Sequence, residues 1–340
     1  MQKKKTSEKR LNKSTILWAL FFEKLLQNVD ACVVVTDSKG GAVFANRRHL
    51  DLFGLTRKKL MGSNWITGII PQAARDQVRE IFGTVKRNKA ICKFDTPVVA
   101  KEDVKYFCWL ALPLKEKSNF FYMFIGRECP APPGGRVREH CLETDKLHSA
   151  YQEVVETLFA ASKVSDPETA HHAARVMHIA VLLAKKLKLD MVSIGKLKVA
   201  SLLHDLGKLA IDDRILFKNG KLSSDEFKEI KKHPHWGADV ISLVYFLRDI
   251  IPIMANHHEN YDGTGYPQGK KGDDIPIESR VLAVADIYEA LTADRPYRKG
   301  YSRRKAIEII KEEKGHKLDP AITDVFLKMA ESNELEEEGF

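Results

Sequence analysis

His257-His258-Glu259-Asn260-Tyr261-Asp262-Gly263-Thr264-Gly265-Tyr266-Pro267 is the stretch around which the chain is organised. Two adjacent histidines and a carboxylate run into a loop punctuated by glycine. Adjacent histidines cannot share a helix face, so they are expected to address two different metal ions where the backbone turns between them. Neutral imidazole suits Zn, Fe, Ni and Cu, and mixed imidazole and carboxylate sets suit Fe and Mn. Gly263 and Gly265 open backbone conformations closed to other residues, and Pro267 fixes the exit. A surface turn with incidental histidines is the competing reading. The ligand-type residues that recur on both sides weigh against it.

Upstream, Asp166 and Pro167 open a helix on which Glu168 and His172 stand four apart and project from one face. Alone, this pair reads as an exposed ion pair; His171 points elsewhere. Ala200 to Leu203 then runs apolar into His204-Asp205-Leu206-Gly207-Lys208. Adjacent His and Asp are expected to face different ways, but an Asp carboxylate can bridge two metals while the His binds one. Lys208, one turn beyond His204, brings an ammonium near whatever the metals hold. In His233-Pro234-His235-Trp236-Gly237, His233 is the better ligand and His235 reads as a supporting or exposed residue. Asp286 ends the apolar run Val281 to Ala285 and is followed by Asp294-Arg295-Pro296-Tyr297-Arg298. By itself Asp286 is a buried network residue; in this company it reads as a ligand. The ligand set is Glu168, His172, His204, Asp205, His233, His257, His258 and Asp286, more than one metal needs. All lie in or beside helical segments, as in an all-α bundle with the site at its centre. Two metals a few Å apart clamp a phosphodiester, and Lys208, Arg295 and Arg298 would neutralise its charge.

The whole chain bounds this reading. Its 340 residues suit two domains, and 44% hydrophobic with 30% charged residues suits a soluble globular protein. A net charge of +9 suits an anionic partner. Part of it is the solvated tail of residues 1–13, with Lys3, Lys4, Lys5, Lys9, Arg10 and Lys13. The five cysteines (32, 92, 108, 129 and 141) show no C-x-x-C spacing, which indicates reduced thiols in the cytoplasm. Ile16 to Phe22 imitates a signal peptide but stops at Glu23-Lys24 with no cleavage site. No stretch approaches a membrane span. A cytoplasmic protein with neither nucleic acid nor membrane as partner is expected.

His49 is the only histidine before the Pro/Gly-rich stretch from Cys129 to Gly135, which marks a domain boundary. Before it, Leu17, Trp18, Phe21, Phe22 and Leu25 form an amphipathic entry helix. Ala31 to Thr36 and Ala42 to Ala45 form a hairpin, Asn46 caps a short helix to Phe53-Gly54, and strands are expected at 91–100, 105–112 and 120–127. Val33-Val34-Val35-Thr36-Asp37 with its Gly40-Gly41 turn, Phe44-Ala45-Asn46, Phe53-Gly54 and Leu60-Met61-Gly62-Ser63-Asn64 resemble a PAS sensor domain over about a hundred residues. Pro71 to Arg87 lacks the histidine of PAS haem sensors, and no flavin-thiol motif is present, so the PAS ligand is left unknown. Cys92 and Cys108 read as packing residues, and His49 as structural or exposed. Beyond the prolines, Leu142, Leu147, Tyr151, Val154, Val155, Leu158 and Phe159 follow helical spacing. That connector helix either pairs with its copy in a homodimer or packs on its own domain.

His204-Asp205-Leu206-Gly207-Lys208, Gly265-Tyr266-Pro267 and Asp294-Arg295-Pro296-Tyr297-Arg298 together resemble the HD-GYP family of HD-domain phosphohydrolases, over roughly residues 150–335. The resemblance implies a multidomain chain: a PAS-like α+β sensor at 14–128, a linker and the start of the connector helix at 129–147, and an all-α HD-GYP helical bundle at 148–340. It implies hydrolysis of cyclic di-GMP to pGpG, and in some members of the family on to GMP, by in-line attack of metal-bound hydroxide. It also implies iron or manganese, with His204, Asp205, His233 and Asp286 holding one part of the cluster and His257 and His258 the rest. Asp205 bridges, His172 matches the family's upstream histidine, and Glu168 matches the trinuclear subgroup. Lys208 would contact a bridging water or the scissile phosphate, Arg295 and Arg298 match phosphate-binding positions, and Gly265, Tyr266 and Pro267 match a loop that holds substrate and meets diguanylate cyclase partners. His171 departs from the family's usual small residue. A phosphohydrolase for another cyclic dinucleotide, or a non-catalytic binding scaffold, are the alternatives.

Overall fold

The computed structural model describes residues 26, 29, 31–88, 91–101, 103–116, 119–131, 137–140, 152, 154–160, 162, 167–218, 220–294 and 299–332. Its first part is an antiparallel sheet of β1 (Cys32–Thr36), β2 (Ala42–Ala45), β3 (Cys92–Ala100), β4 (Asp103–Glu116), β5 (Asn119–Glu128) and β6 (Arg138–His140), in the order β2-β1-β5-β4-β3-β6. The hairpin between β1 and β2 closes as its sequence requires: Asp37 accepts from the Lys39 and Gly41 amides, and Gly40 takes a positive φ of 85°. Asn46 then caps α1 (Arg47–Phe53), and Gly54 ends it in the left-handed conformation at φ 61°. Short helical turns lead to α2 (Arg75–Asn88), whose buried residues Val78, Ile81, Phe82 and Val85 face the sheet core.

Every residue of β1 is buried, because the sheet is covered on both faces. Alternation sorts its side chains. Cys32 and Val34 join the helix-covered core with Trp65, Trp109, Phe94 and Phe124, where the Trp65 ring stacks on Phe124 at 4.3 Å. Gly126 leaves room there for the indole of Trp109, which a Cβ would meet at 2.4 Å. Val33 and Val35 point the other way, with Leu110, Leu112, Leu114, Met123 and Ile125. These join Val154, Val155 and Leu158 of α3 (residues 154–160) and run on into the core of the helical half. Leu114 also forms a backbone bridge to Val244. The sheet's second face is thus a wall of the helical half's own core.

That half is helical. α4 (Pro167–Lys186) and α5 (Met191–Leu203) form a hairpin turned at Lys188, with Asp190 capping α5. A 3-10 turn (Leu206–Ala210), α6 (Ser224–Ile230), α7 (His233–Leu243) and α8 (Ile251–Ala255) follow. Then come α9 (Ile277–Thr292), which packs along α4, and α10 (Arg303–Glu313) and α11 (Pro320–Glu331). Gly207 lies so close to α7 that a Cβ would sit 1.9 Å from the carbonyl oxygen of His233. Only glycine permits that approach.

The α+β sheet followed by a helical bundle is as expected. Two details differ, and two others hold. Residues 138–140, read as linker, form β6 and pair with Lys93 to Asp95, because an open edge of β3 offers unsatisfied backbone groups. β4 runs past Leu112 to Glu116, extending the ladder to β5 through Lys115 and Glu116. His49 is fully buried against Phe53 and Trp109, and burial lowers its pKa to about 3, so it is a neutral core residue. Cys92 and Cys108 do lie in strands. The entry helix, Asp166 and the first half of the connector lie outside the described residues.

Asn46 ties this fold together at one point. Its Oδ1 accepts from the Val33 and His49 amides, each at 3.0 Å, and its Nδ2 donates to the carbonyls of Leu26 and Ala31 at 2.9 and 2.8 Å. Asn46→Ala strands four buried backbone groups. It is expected to destabilise the sheet half by on the order of 3 kcal/mol in denaturant unfolding followed by tryptophan fluorescence.

Candidate metal centre

Helix ends build the site. α5 stops at His204, which is its C-cap; α8 stops just before Asn256, and His257 and His258 follow; α7 begins at His233 with Pro234 in its first turn. α4 and α9 pass alongside and contribute His172 and Asp286 from their interiors. Helix C-termini present carbonyl dipoles, which favour cations.

Seven of the eight expected ligands come together. His172, His204 and Asp286 form one group able to hold a metal ion; His204, Asp205 and His257 form a second; His233, His257 and His258 form a third. His172 Nε2 is 3.0 Å from Asp286 Oδ1. The two oxygens of Asp205 diverge: Oδ2 lies 3.4 Å from His204 Nε2, and Oδ1 lies 3.3 Å from His233 Nε2. This is the disposition a bridging carboxylate needs. Lys208 Nζ is 2.6 Å from Asp205 Oδ2. Glu168 lies in α4 but its side chain, like Arg295 and Arg298 entirely, falls outside the described residues. His171 is exposed, and His235, also exposed, is 3.6 Å from Asp239.

Chain neighbours come together twice in these groups. His257 and His258 share a group, with ring centroids 4.0 Å apart, and His204 shares one with Asp205. The rule that neighbours diverge holds inside a helix. Here the helix ends between or beside them: Asp205 has φ −93° and ψ 3°, and Asn256 has φ −115° and ψ 12°.

The rings are held from behind. Nδ1 of His204, His233 and His257 lies 2.7, 2.8 and 2.6 Å from the carbonyl oxygens of Ser201, Ile230 and Met254, each three residues earlier. A carbonyl can only accept, so Nδ1 carries the proton and the Nε2 lone pair faces the cluster. His172 differs: its Nδ1 meets the buried carboxylate of Glu289, whose other oxygen takes Nε of Arg175 at 2.7 Å. Glu289 and Arg175 are the residues that sequence reading missed. Each stands three positions after a candidate ligand, Asp286 and His172, on the same helix face, which is the signal that marks them.

Glu259 was quoted in the motif but given no role. It is buried and accepts from the amides of Gln268 and Lys270 at 2.7 and 3.1 Å, bracing the loop. Gly265 packs against that brace, since a Cβ would lie 2.2 Å from the Asn260 nitrogen. Tyr266 is thereby laid against His258, ring centroids 4.8 Å apart.

Burial favours neutral imidazole. It lowers His258 to about 4, lowers His233, and, with the neighbouring rings, holds His257 well below its ordinary value. Burial pushes His172 the same way, but hydrogen bonds to Asp286 and Glu289 override it and raise it to about 9. Burial opposes ionisation of Asp205 and Asp286 too, yet Lys208 with the facing imidazoles keeps Asp205 below the usual range, and imidazoles alone do so for Asp286. His204 Nε2 is buried with no hydrogen-bond partner. A deeply buried set of imidazole nitrogens and ionised carboxylates, one nitrogen orphaned, fits first-row divalent metals.

Comparison with known proteins agrees with this architecture. Residues 156–322 match the HD domain family model and residues 20–123 match the PAS fold model. The chain is a PAS-fold segment followed by an HD domain. It is 36% identical over 186 residues to the cyclic di-GMP phosphodiesterase response regulator RpfG of Xanthomonas campestris, covering 54% of this chain and 49% of that protein. It is 38% identical over 167 residues to a cyclic di-GMP phosphodiesterase of Pseudomonas aeruginosa (49% and 40% covered). It is 36% identical over 177 residues to the 3'3'-cGAMP-specific phosphodiesterase 3 of Vibrio cholerae (51% and 38% covered). The chain spans about half the length, or less, of these relatives.

Two outcomes are expected. Glu289→Gln removes the anion behind His172 and should weaken metal affinity by roughly 10–100-fold in chelator competition. In chelated protein, the unfolded chain binds more protons than the fold at His233, His257 and His258 below pH 6.5, so stability rises with pH there. His172 acts oppositely: its contribution is complete below 6.5 and is lost as pH rises through about 9. Melting temperature should therefore peak between these limbs, and His172→Gln should flatten the alkaline one.

Proposed function

We propose that this chain is a PAS-regulated, metal-dependent phosphodiesterase that hydrolyses cyclic di-GMP to pGpG, or to GMP where the second ester is also cut. One observation carries the reading: seven candidate ligand side chains, four buried and three half-buried, converge in three adjoining groups, with Asp205 turned toward two of them. Relatives named as cyclic di-GMP phosphodiesterases share this half of the chain.

Two or three metal ions, iron or manganese, would be held by His172, His204, Asp205, His233, His257, His258 and Asp286, with Glu168 completing a third position. Bound there, such ions supply Lewis acidity at phosphoryl oxygen and lower the pKa of water. The chain's residues do the remainder. Asp205 stays ionised and spans the groups. Lys208, already fixed by Asp205, offers its ammonium to the scissile phosphate, and Arg295 and Arg298 add charge for the phosphates. Glu259 and Gly265 hold the Gly265-Tyr266-Pro267 loop over the site, where substrate and a diguanylate cyclase partner would meet it. The chain would act as a cytoplasmic homodimer; among the described residues no helix is long and apolar enough to cross a membrane.

A second reading has a specific observation behind it. The cGAMP-specific relative matches at the same 36% identity, so a hybrid cyclic dinucleotide is the alternative substrate.

The test is anaerobic reconstitution of the full chain with iron(II) or manganese(II), then product chromatography after adding cyclic di-GMP or 3'3'-cGAMP. Formation of pGpG or GMP is expected, with Asp205→Asn slower by at least roughly 100-fold. Turnover of cGAMP alone would select the alternative, and full metal loading with no turnover of either would overturn the enzyme reading. Glu168→Ala should lower metal content by about one ion; equal content would remove the third metal.

A further inference from the structure

Lysines stud the turn between α6 and α7. Lys228 pairs with Asp225 at 2.8 Å, and Lys232 pairs with Glu229, each partner three residues back. Lys231 breaks the pattern. Among the described residues no carboxylate pairs with its ammonium. Nζ stands instead 5.0 Å from the centroid of the Phe227 ring and 5.0 Å from that of Tyr266. Tyr266 in turn lies 4.8 Å from the imidazole of His258. The ammonium is therefore two ring spacings from the His258 imidazole, against the Tyr266 ring of the loop that overhangs the candidate site.

Its placement is tied to the cluster by the backbone as well. Lys231 caps α6, its amide bonded to the Phe227 carbonyl at 3.0 Å, and His233 begins α7 two residues later. Aromatic faces attract an ammonium without neutralising it. A carboxylate partner would cancel the charge; two rings leave it intact and aimed. Lys208, by contrast, is already committed to Asp205 beside the metal groups.

We propose that Lys231 binds the second, non-scissile phosphate of a cyclic dinucleotide. This rests on the phosphodiesterase reading above. Such a substrate carries two phosphodiesters in one ring, so when one lies at the metals the other must lie a nucleotide away, and its charge needs a cation there. Tyr266 then serves as the floor on which this cation rests, braced against His258.

The experiment compares full-length wild type, Lys231→Met and Lys231→Arg, each loaded with manganese(II) and checked for equal metal content. The substrates are cyclic di-GMP and bis(p-nitrophenyl) phosphate, which has a single phosphodiester. Lys231→Met should raise KM for cyclic di-GMP roughly tenfold or more, with the loss carried by KM and not kcat. The fall in kcat/KM should be at least several-fold greater than for the single phosphodiester. Lys231→Arg should recover most of it. An unaltered KM for cyclic di-GMP, an equal loss on both substrates, or a loss confined to kcat would overturn the assignment. A wild type that cleaves bis(p-nitrophenyl) phosphate but no cyclic dinucleotide would instead bring down the substrate reading, and this inference with it.

Discussion

The rest of this structure depends on keeping charge ionised where water is excluded. Asp205 and Asp286 sit among five imidazoles, and burial pulls both carboxyls and the rings of His172, His233, His257 and His258 toward their neutral forms. The fold resists by fixing four of the five rings from outside. Three carbonyls hold Nδ1–H and force a lone pair inward, while Glu289 does the same for His172 with a full negative charge. A carboxylate behind the ring makes its nitrogen more basic than a carbonyl does. His172 is thus more proton-avid than His233, His257 or His258, and a metal held there would compete with a proton more directly than at those three.

Sequence made much of this legible, for identifiable reasons. Ligand types that are rare in apolar runs stood out at His204-Asp205, His233, His257-His258 and Asp286, because local composition alone marks them. The β1–β2 hairpin was legible because its turn chemistry and its alternation agree. What failed to show were facts made by the third dimension. Glu289 meets His172 across 117 residues, and no periodicity within either helix announces a partner in another. That the backbone turns at His257-His258 was legible, but where α8 ends, one residue earlier at Asn256, was not. β6 is three residues long and owes its form to a neighbour's open edge. It carries no strand signal of its own.

The loop after His258 shows how local rules serve a distant purpose. Glu259 is buried to receive two amides of its own loop, and Gly265 must lack a side chain to lie against it. Neither touches the ligand groups. Together they determine where Tyr266 sits, and Tyr266 lies against the His258 ring on one side of its contacts and beneath Lys231 on another.

The sheet's second face carries a different consequence. Val33, Val35, Leu112 and Leu114 are core residues of the helical half as much as of the sheet, and Leu114 reaches Val244, the C-cap of the helix that begins with His233. The two halves are therefore not beads on a string. A close-packed interior passes displacement along instead of absorbing it. Cutting the chain between them would bare a greasy wall on each fragment, so the sheet is as much masonry for the metal centre as it is a module with a job of its own.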